Sequence, residues 1–128
     1  MMRNNMWLGF TIAFTFTIIL ALLIGWPSTL VAGVAAGFCF RKALRAFLIT
    51  LLATGCAWMI MALIPALWSP TWLLASKLVQ IPGLSSDFAF LMFLITAITG
   101  GLLGGLGASN TVILRRLFSN LLTLSKAN

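Results

Sequence analysis

Long apolar runs, separated by short groups of charged or turn-forming residues, dominate this chain. A helix that crosses a membrane needs about 20 mainly apolar residues to span about 30 Å of hydrocarbon, at a rise of about 1.5 Å per residue. Three runs meet that length, at residues 7–25, 46–64 and 88–106. The pattern therefore predicts three membrane-spanning helices, the first of which follows a basic start.

The first run also has the charge pattern of a secretory signal. Its uncharged stretch is longer than the usual signal core of about 7 to 15 residues, and no A-x-A cleavage site follows. It is therefore interpreted as a retained first span.

A fourth apolar run, residues 27–40, is short, at about 21 Å if helical. It can span the membrane if the flanking bases extend to the headgroups and the bilayer thins locally. The alternative is a re-entrant or surface segment. Pro27, preceded by Trp26, fits a helix start at a membrane interface.

Charge distribution favours a full crossing by this short run. The chain has 8 Lys and Arg against 1 acidic residue, a net charge of +7. With four spans and a cytoplasmic N-terminus, Lys77 alone lies outside, and the remaining bases lie inside: Arg3, Arg41, Lys42, Arg45, Arg115, Arg116 and Lys126. Such a bias follows the positive-inside rule. The prediction is an all-α protein of a prokaryotic cytoplasmic membrane, with four spans and both termini cytoplasmic.

The connections carry their own signals. No Gly or Pro is available to turn the chain near residues 40–45, so we expect a tight turn there, with one continuous bent helix as the alternative. Ser69 and Pro70 are a helix-start signal, which predicts a short helix over residues 71–80 lying on the outer membrane surface. Ser85, Ser86 or Asp87 is expected to cap the last span.

The C-terminal segment, residues 111–125, is predicted to be an amphipathic helix. Its apolar face carries Ile113, Leu117, Leu121 and Leu124, and its polar face carries Arg115, Arg116, Ser119 and Thr123. We expect this helix to lie along the inner leaflet. Five bases are expected near anionic lipid headgroups: Arg41, Lys42, Arg45, Arg115 and Arg116.

Glycines are concentrated in the stretch GGLLGGLGASN, residues 100–110. A phosphate-binding loop would need a following Lys and a preceding strand, and neither is indicated. A hinge is an alternative, since glycine weakens a helix. The regular spacing of Gly100, Gly101, Gly104 and Gly105 instead predicts a flat face for close helix packing. Gly33 and Gly37 form a second such face. The second and fourth helices should pack through these faces, or one face should serve a second subunit.

Residues capable of acid–base chemistry are almost absent, because the chain has no His and a single acid, Asp87. Two cysteines, Cys39 and Cys56, fall short of a metal site. We therefore expect no catalysis, no metal and no cofactor. The bases occur in small groups between apolar runs, so nucleic acid is not an expected partner either.

The hypothesis that remains is a non-catalytic membrane protein acting by helix association, as an accessory or assembly subunit of a membrane complex or as a homo-oligomer. Its expected partners are the lipid bilayer and other membrane subunits, or further copies of itself. The alternative is a small oligomeric channel or permease for a neutral solute or an anion, since no charged relay lies within the runs. Threonines would line its path: Thr11, Thr15, Thr17, Thr50, Thr54, Thr96 and Thr99.

Overall fold

The computed structural model describes residues 6–25 and 27–127, and every regular element among them is helical. The elements are α1 (Met6–Ile24), α2 (Ser28–Gly37), α3 (Ala43–Trp68), α4 (Thr71–Gln80) and α5 (Phe90–Ala127), with a short 3-10 turn at Ser86–Ala89 before α5. The all-α prediction is confirmed for these residues. Three segments are long and apolar enough to cross a membrane, namely α1, α3 and the stretch Ser86–Ser125, which indicates a multi-pass membrane protein.

Helix α2 is shorter than the run from which it was predicted. It has 10 residues, about 15 Å of helix, which is half of a bilayer's hydrocarbon thickness of about 30 Å. Helix length therefore supports three spans, and the fourth crossing and the orientation of the termini stay predictions. Gly25 makes the turn into α2 with a φ of 95°, a conformation that glycine adopts without strain.

Small side chains fill the interior between the long helices. Helix α5 packs against α3 and α2, and α1 packs against the same two helices. The buried residues are mainly alanine and threonine, and one cluster joins Ala13, Ala36 and Ala53 from three different helices. Because these side chains are short, the helix backbones approach closely, as is typical of helix packing in membranes.

Three boundaries differ from the prediction. The turn between α2 and α3 covers residues 38–42, slightly earlier than the 40–45 expected. Helix α3 continues through Pro65 to Trp68, although the span was expected to end at Ile64. Ser69 was expected to start the next helix. It instead caps the C-terminal end of α3, where its backbone amide and its hydroxyl both donate to the Pro65 carbonyl.

The third difference is that α5 is a single helix of 38 residues. From residue 90 onwards, the predicted span at 88–106 and the predicted tail helix at 111–125 belong to this one element, with no break between residues 106 and 111. Of the three residues expected to cap the last span, Ser85 makes no side-chain hydrogen bond to the 3-10 turn that it precedes.

The helices reach different heights in the bundle. The Trp58 indole nitrogen donates to the Thr29 hydroxyl at 2.9 Å, so the first turn of α2 lies level with the middle of α3. Residues 58–68 of α3 extend about 15 Å past that level. There α4 packs over the ends of α3 and α5, in a separate cluster of Ala75, Ala89 and Phe93.

Candidate functional site: the glycine interface and the basic end

The α2–α5 interface brings two backbones into direct contact. A Cβ atom added to Gly33 would fall 2.9 Å from the carbonyl carbon of Gly104, and one added to Gly37 would fall 2.7 Å from the carbonyl oxygen of Ala108. A Cβ atom on Gly107 would meet the carbonyl oxygen of Leu30 at 2.5 Å. Real Cβ contacts are essentially never this short, so these positions exclude a larger side chain unless the helices separate.

The α3–α5 interface uses the other side of the same glycine stretch. A Cβ atom on Gly101 would lie 2.8 Å from the carbonyl oxygen of Leu51, and one on Gly105 would lie 2.9 Å from the ring of Phe47. Gly55 of α3 faces Ala97 of α5, where an added Cβ atom would lie 3.1 Å from the Ala97 carbonyl oxygen. The glycine face of α5 is thus divided between α3 and α2.

All six glycines named from the sequence are buried: Gly33, Gly37, Gly100, Gly101, Gly104 and Gly105. Gly33 and Gly37 lie in α2 and face α5. The sequence did not indicate α3 as a partner of this face, nor Gly55 of α3; it also left out Gly107, which faces Leu30 of α2. Gly107 continues the glycine stretch of α5, so its position in the sequence was a usable signal for helix packing. Gly55 is isolated in the sequence and has no glycine at helical spacing.

Trp58 joins α2, α3 and α5 at one point. Its indole ring covers Gly100, where an added Cβ atom would fall 2.7 Å from the indole nitrogen. The same nitrogen donates to Thr29 across the interface. Beside this contact, an open groove of about 240 Å³ is lined by Trp58, Ile95, Thr96, Thr99, Gly100 and Leu103.

The threonines of the proposed conduction path do not share one surface. Thr17, Thr50 and Thr54 are buried, whereas Thr11, Thr15 and Thr99 are exposed and Thr96 is partly buried. Most hydroxyls donate to the carbonyl one turn earlier, as Thr54 does to Thr50 at 2.8 Å. Among the described residues, Thr50 has the one buried hydroxyl that lacks a hydrogen-bond partner. The structure therefore arranges these hydroxyls as separate backbone contacts.

Two basic segments meet at one end of the bundle, which we call the basic end (residues 38–45 and 115–116). The Arg115 guanidinium donates to the Phe38 carbonyl at 3.1 Å and to the Phe40 carbonyl at 3.4 Å, and Arg116 donates to the carbonyl of Arg41. These bonds satisfy carbonyls at the C-terminal end of α2 and in the turn that follows it. The segments 41–45 and 115–116, distant in the sequence, therefore lie side by side.

The remaining cations of the basic end are exposed, namely Arg41, Lys42 and Arg45. No ion pair is found among the described residues, and the one acid, Asp87, lies in the 3-10 turn near α4. Arg3 and the side chain of Lys126 lie outside what the structure describes, so their predicted position is not tested. The basic end is thus an uncompensated positive surface.

Past Arg116, α5 has no neighbours in the described part of the chain. Residues 113–125 are all exposed. Seven large apolar side chains, between 46% and 66% exposed, project from one half of this extension: Ile113, Leu114, Leu117, Phe118, Leu121, Leu122 and Leu124. Arg115 and Arg116 lie on the other half and face the α2–α3 turn. We call residues 113–127 the α5 extension.

Comparison with known proteins identified no relative of this chain. No family model, no curated protein and no solved structure matches the chain. The functional proposal below therefore rests on the contacts, burial and charges of the chain itself.

Proposed function

We propose that this protein is a non-catalytic, multi-pass membrane protein that acts by binding another membrane subunit, and that the α5 extension is the docking element. The observation that carries the proposal is the exposed apolar half of that extension. A non-catalytic role is supported by composition, since the chain has no His and a single acidic residue to serve as acid or base.

The glycine faces of α2 and α5 are candidate surfaces for binding another subunit, but helices of the same chain already cover them. Gly33 and Gly37 contact α5, and Gly101 and Gly105 contact α3. A partner helix cannot use the same surfaces without opening the bundle. An association role therefore requires a different surface, and the α5 extension is a large apolar surface that its own chain leaves uncovered.

The geometry of α5 favours a partner protein over the lipid surface expected from the sequence. Sharp kinks in helices occur at Pro, at Gly or where a side chain or water inserts, and no Pro or Gly follows Gly107. The helix therefore continues along its axis for about 17 Å past Arg116. In that direction its apolar half leaves the hydrocarbon, and contact with another protein removes it from water.

Charge indicates what kind of partner fits. A parallel second copy would bring Arg115 and Arg116 of two chains together, and the single acid lies at the α4 end. Like charges in contact oppose such a pairing. The favoured partner is a different membrane subunit that offers an apolar helix bordered by acidic residues at the basic end.

The test is extraction of the full chain from its native membrane in mild detergent, followed by size measurement and mass spectrometry. The wild-type protein should elute with a stoichiometric partner. Replacing Leu117 and Leu121 by Ser should release the partner. The matched control, with Ser119 and Thr123 of the opposite half replaced by Ala, should keep it. Wild-type protein that elutes alone, or a partner that survives the leucine substitutions, would contradict the proposal.

The channel hypothesis is not favoured by a specific observation. Its candidate threonines lie partly inside the bundle and partly on its outer surface, bonded mainly to their own helices. A liposome flux assay on purified protein separates the two functions, because a subunit that acts by association should pass no solute.

A further inference from the structure

The structure divides the five cations of the basic end into two groups. The guanidinium groups of Arg115 and Arg116 donate to carbonyls of α2 and of the turn that follows it. The side chains of Arg41, Lys42 and Arg45 are exposed and make no hydrogen bond or ion pair with the described residues. We call these three the free cations. From the sequence, all five were expected near anionic headgroups, whereas in the structure two of them hold the turn and three are available to an external anion.

The free cations lie at the start of a span. Arg41 and Lys42 precede α3, and Arg45 is in its first turn. Helix α3 is long and apolar enough to cross a membrane, and no charged residue follows Arg45 within it. Cations at the end of a span reach the level of the lipid headgroups. The single acid, Asp87, lies about 40 Å along α5 from Arg115. A counter-charge for the free cations must therefore come from outside the chain.

An apolar strip of α3 begins directly below these cations. Leu48 and Leu52 follow Arg45 at intervals of three and four residues, so the three side chains share one face of the helix. Leu48 is 50% exposed and Leu52 is 60% exposed. Cys56 continues this face by one turn and is exposed as well. From Arg45 to Cys56 the strip is about 17 Å long, close to the hydrocarbon thickness of one leaflet, about 15 Å.

We infer that this face of α3 binds one anionic phospholipid, with its phosphate on the free cations and an acyl chain along Leu48 and Leu52. Charge complementarity selects a lipid of net negative charge over a zwitterionic one, whose own ammonium group offsets its phosphate. The apolar strip adds a contact that a phosphate anion alone cannot make. The inference rests on the membrane embedding in the proposed function and goes beyond it, since the α5 extension takes no part in this site.

The experiment is native mass spectrometry of the purified full chain in detergent, titrated with phosphatidylglycerol or with phosphatidylcholine of the same acyl chains. The wild-type chain should retain one phosphatidylglycerol severalfold more strongly than phosphatidylcholine. Arg45→Gln should weaken phosphatidylglycerol binding by about fivefold, the effect of about 1 kcal/mol per cation at a membrane surface. The matched control, Lys77→Gln, removes one exposed cation from α4 and should leave binding unchanged. Lys42→Gln replaces the first variant if that one fails to fold.

A phosphatidylglycerol with a photoreactive diazirine at mid-chain should crosslink to α3 beside Leu52. Equal affinity for the two lipids, unchanged affinity in Arg45→Gln, or a crosslink confined to another helix would overturn the site. Glycerol 3-phosphate that displaces the lipid at equal concentration would also overturn it, because the strip would then contribute nothing. A wild-type chain that retains no lipid, with a protein partner lost in Arg45→Gln, would assign the free cations to that partner instead. None of these outcomes depends on the leucines of the α5 extension, so the two proposals fail separately.

Discussion

Gly33 offers the sharpest measure of how closely the helices pack. In Gly33→Ala, the new methyl group would lie 2.9 Å from the Gly104 carbonyl carbon and 3.0 Å from its Cα atom, and nearer still to the carbonyl oxygen. These are backbone atoms, so no side-chain rotation relieves the overlap. Helix α2 must move away from α5 as a body, which loosens the contacts of Gly37 and Gly107 as well.

Two terms of opposite sign determine the size of the effect. Overpacking of a dense interior costs about 1 to 3 kcal/mol. Alanine stabilises a helix interior by about 1 kcal/mol relative to glycine. Gly55→Ala is the control, because it gains the same helix propensity while its new methyl group meets its nearest atom, the Ala97 carbonyl oxygen, at 3.1 Å. That contact requires a shift of only a few tenths of an ångström. The difference between the two variants therefore measures the overpacking cost at Gly33.

The Gly33 overlap is with rigid backbone, so its overpacking cost lies at the upper end of that range, whereas the cost at Gly55 lies at the lower end. We therefore expect Gly33→Ala to lower the free energy of unfolding by about 1 to 2 kcal/mol, and Gly55→Ala to leave it near the wild-type value. The measurement is thermal unfolding of each purified full-length variant in one mild detergent, with monomer size checked by chromatography. If Gly33→Ala is as stable as Gly55→Ala, or more stable than the wild type, the direct contact between α2 and α5 is refuted.

Three further predictions concern the contacts on either side of this interface. Trp58 and Thr29 are replaced by Phe and Val, singly and together, and the free energy of unfolding is measured for each variant. The two substitutions should be coupled by about 1 kcal/mol, the usual net contribution of one hydrogen bond. Additive losses would show that the Trp58–Thr29 hydrogen bond contributes nothing. Arg115→Gln should speed amide hydrogen exchange in the α2–α3 turn, because it removes a charged donor from two carbonyls. The control Arg45→Gln should leave the exchange rates unchanged. Equal rates in the two variants would contradict the contact between Arg115 and the turn. Single cysteines at Lys42 and Arg115 should react with a membrane-impermeant maleimide from the same side of the membrane, and labelling from opposite sides would exclude the basic end as described.

The sequence predicted features that depend on neighbouring residues along one helix. The apolar runs identified α1, α3 and α5, and the spacing of Gly100, Gly101, Gly104 and Gly105 indicated a flat face. Which helix that face contacts depends on the arrangement in space. The isolated Gly55 therefore carried no signal, although it lies opposite Ala97.

The missed boundaries have physical reasons of the same kind. Pro65 removes one amide donor from the last turn of α3 without ending the helix, which closes at Ser69, whose amide and hydroxyl donate to the Pro65 carbonyl. The predicted span ended at residue 106 and the predicted tail helix began at residue 111, whereas α5 is continuous between them. Thr111 donates to the Gly107 carbonyl at 2.9 Å and lies 3.3 Å from the Val34 carbonyl of α2, which holds this segment in the helix and against its neighbour.

The unbroken course of α5 has a mechanical consequence. One stiff rod runs from the 3-10 turn beside α4, past both glycine interfaces, to the end of the extension. Its contacts with α2 and α3 are made at glycines where not even a Cβ atom fits, so a rotation of the rod about its long axis would turn leucines such as Leu102 and Leu106 into these interfaces. The rod is therefore held in one rotational setting, and the glycine interfaces fix the direction in which the extension presents its apolar half.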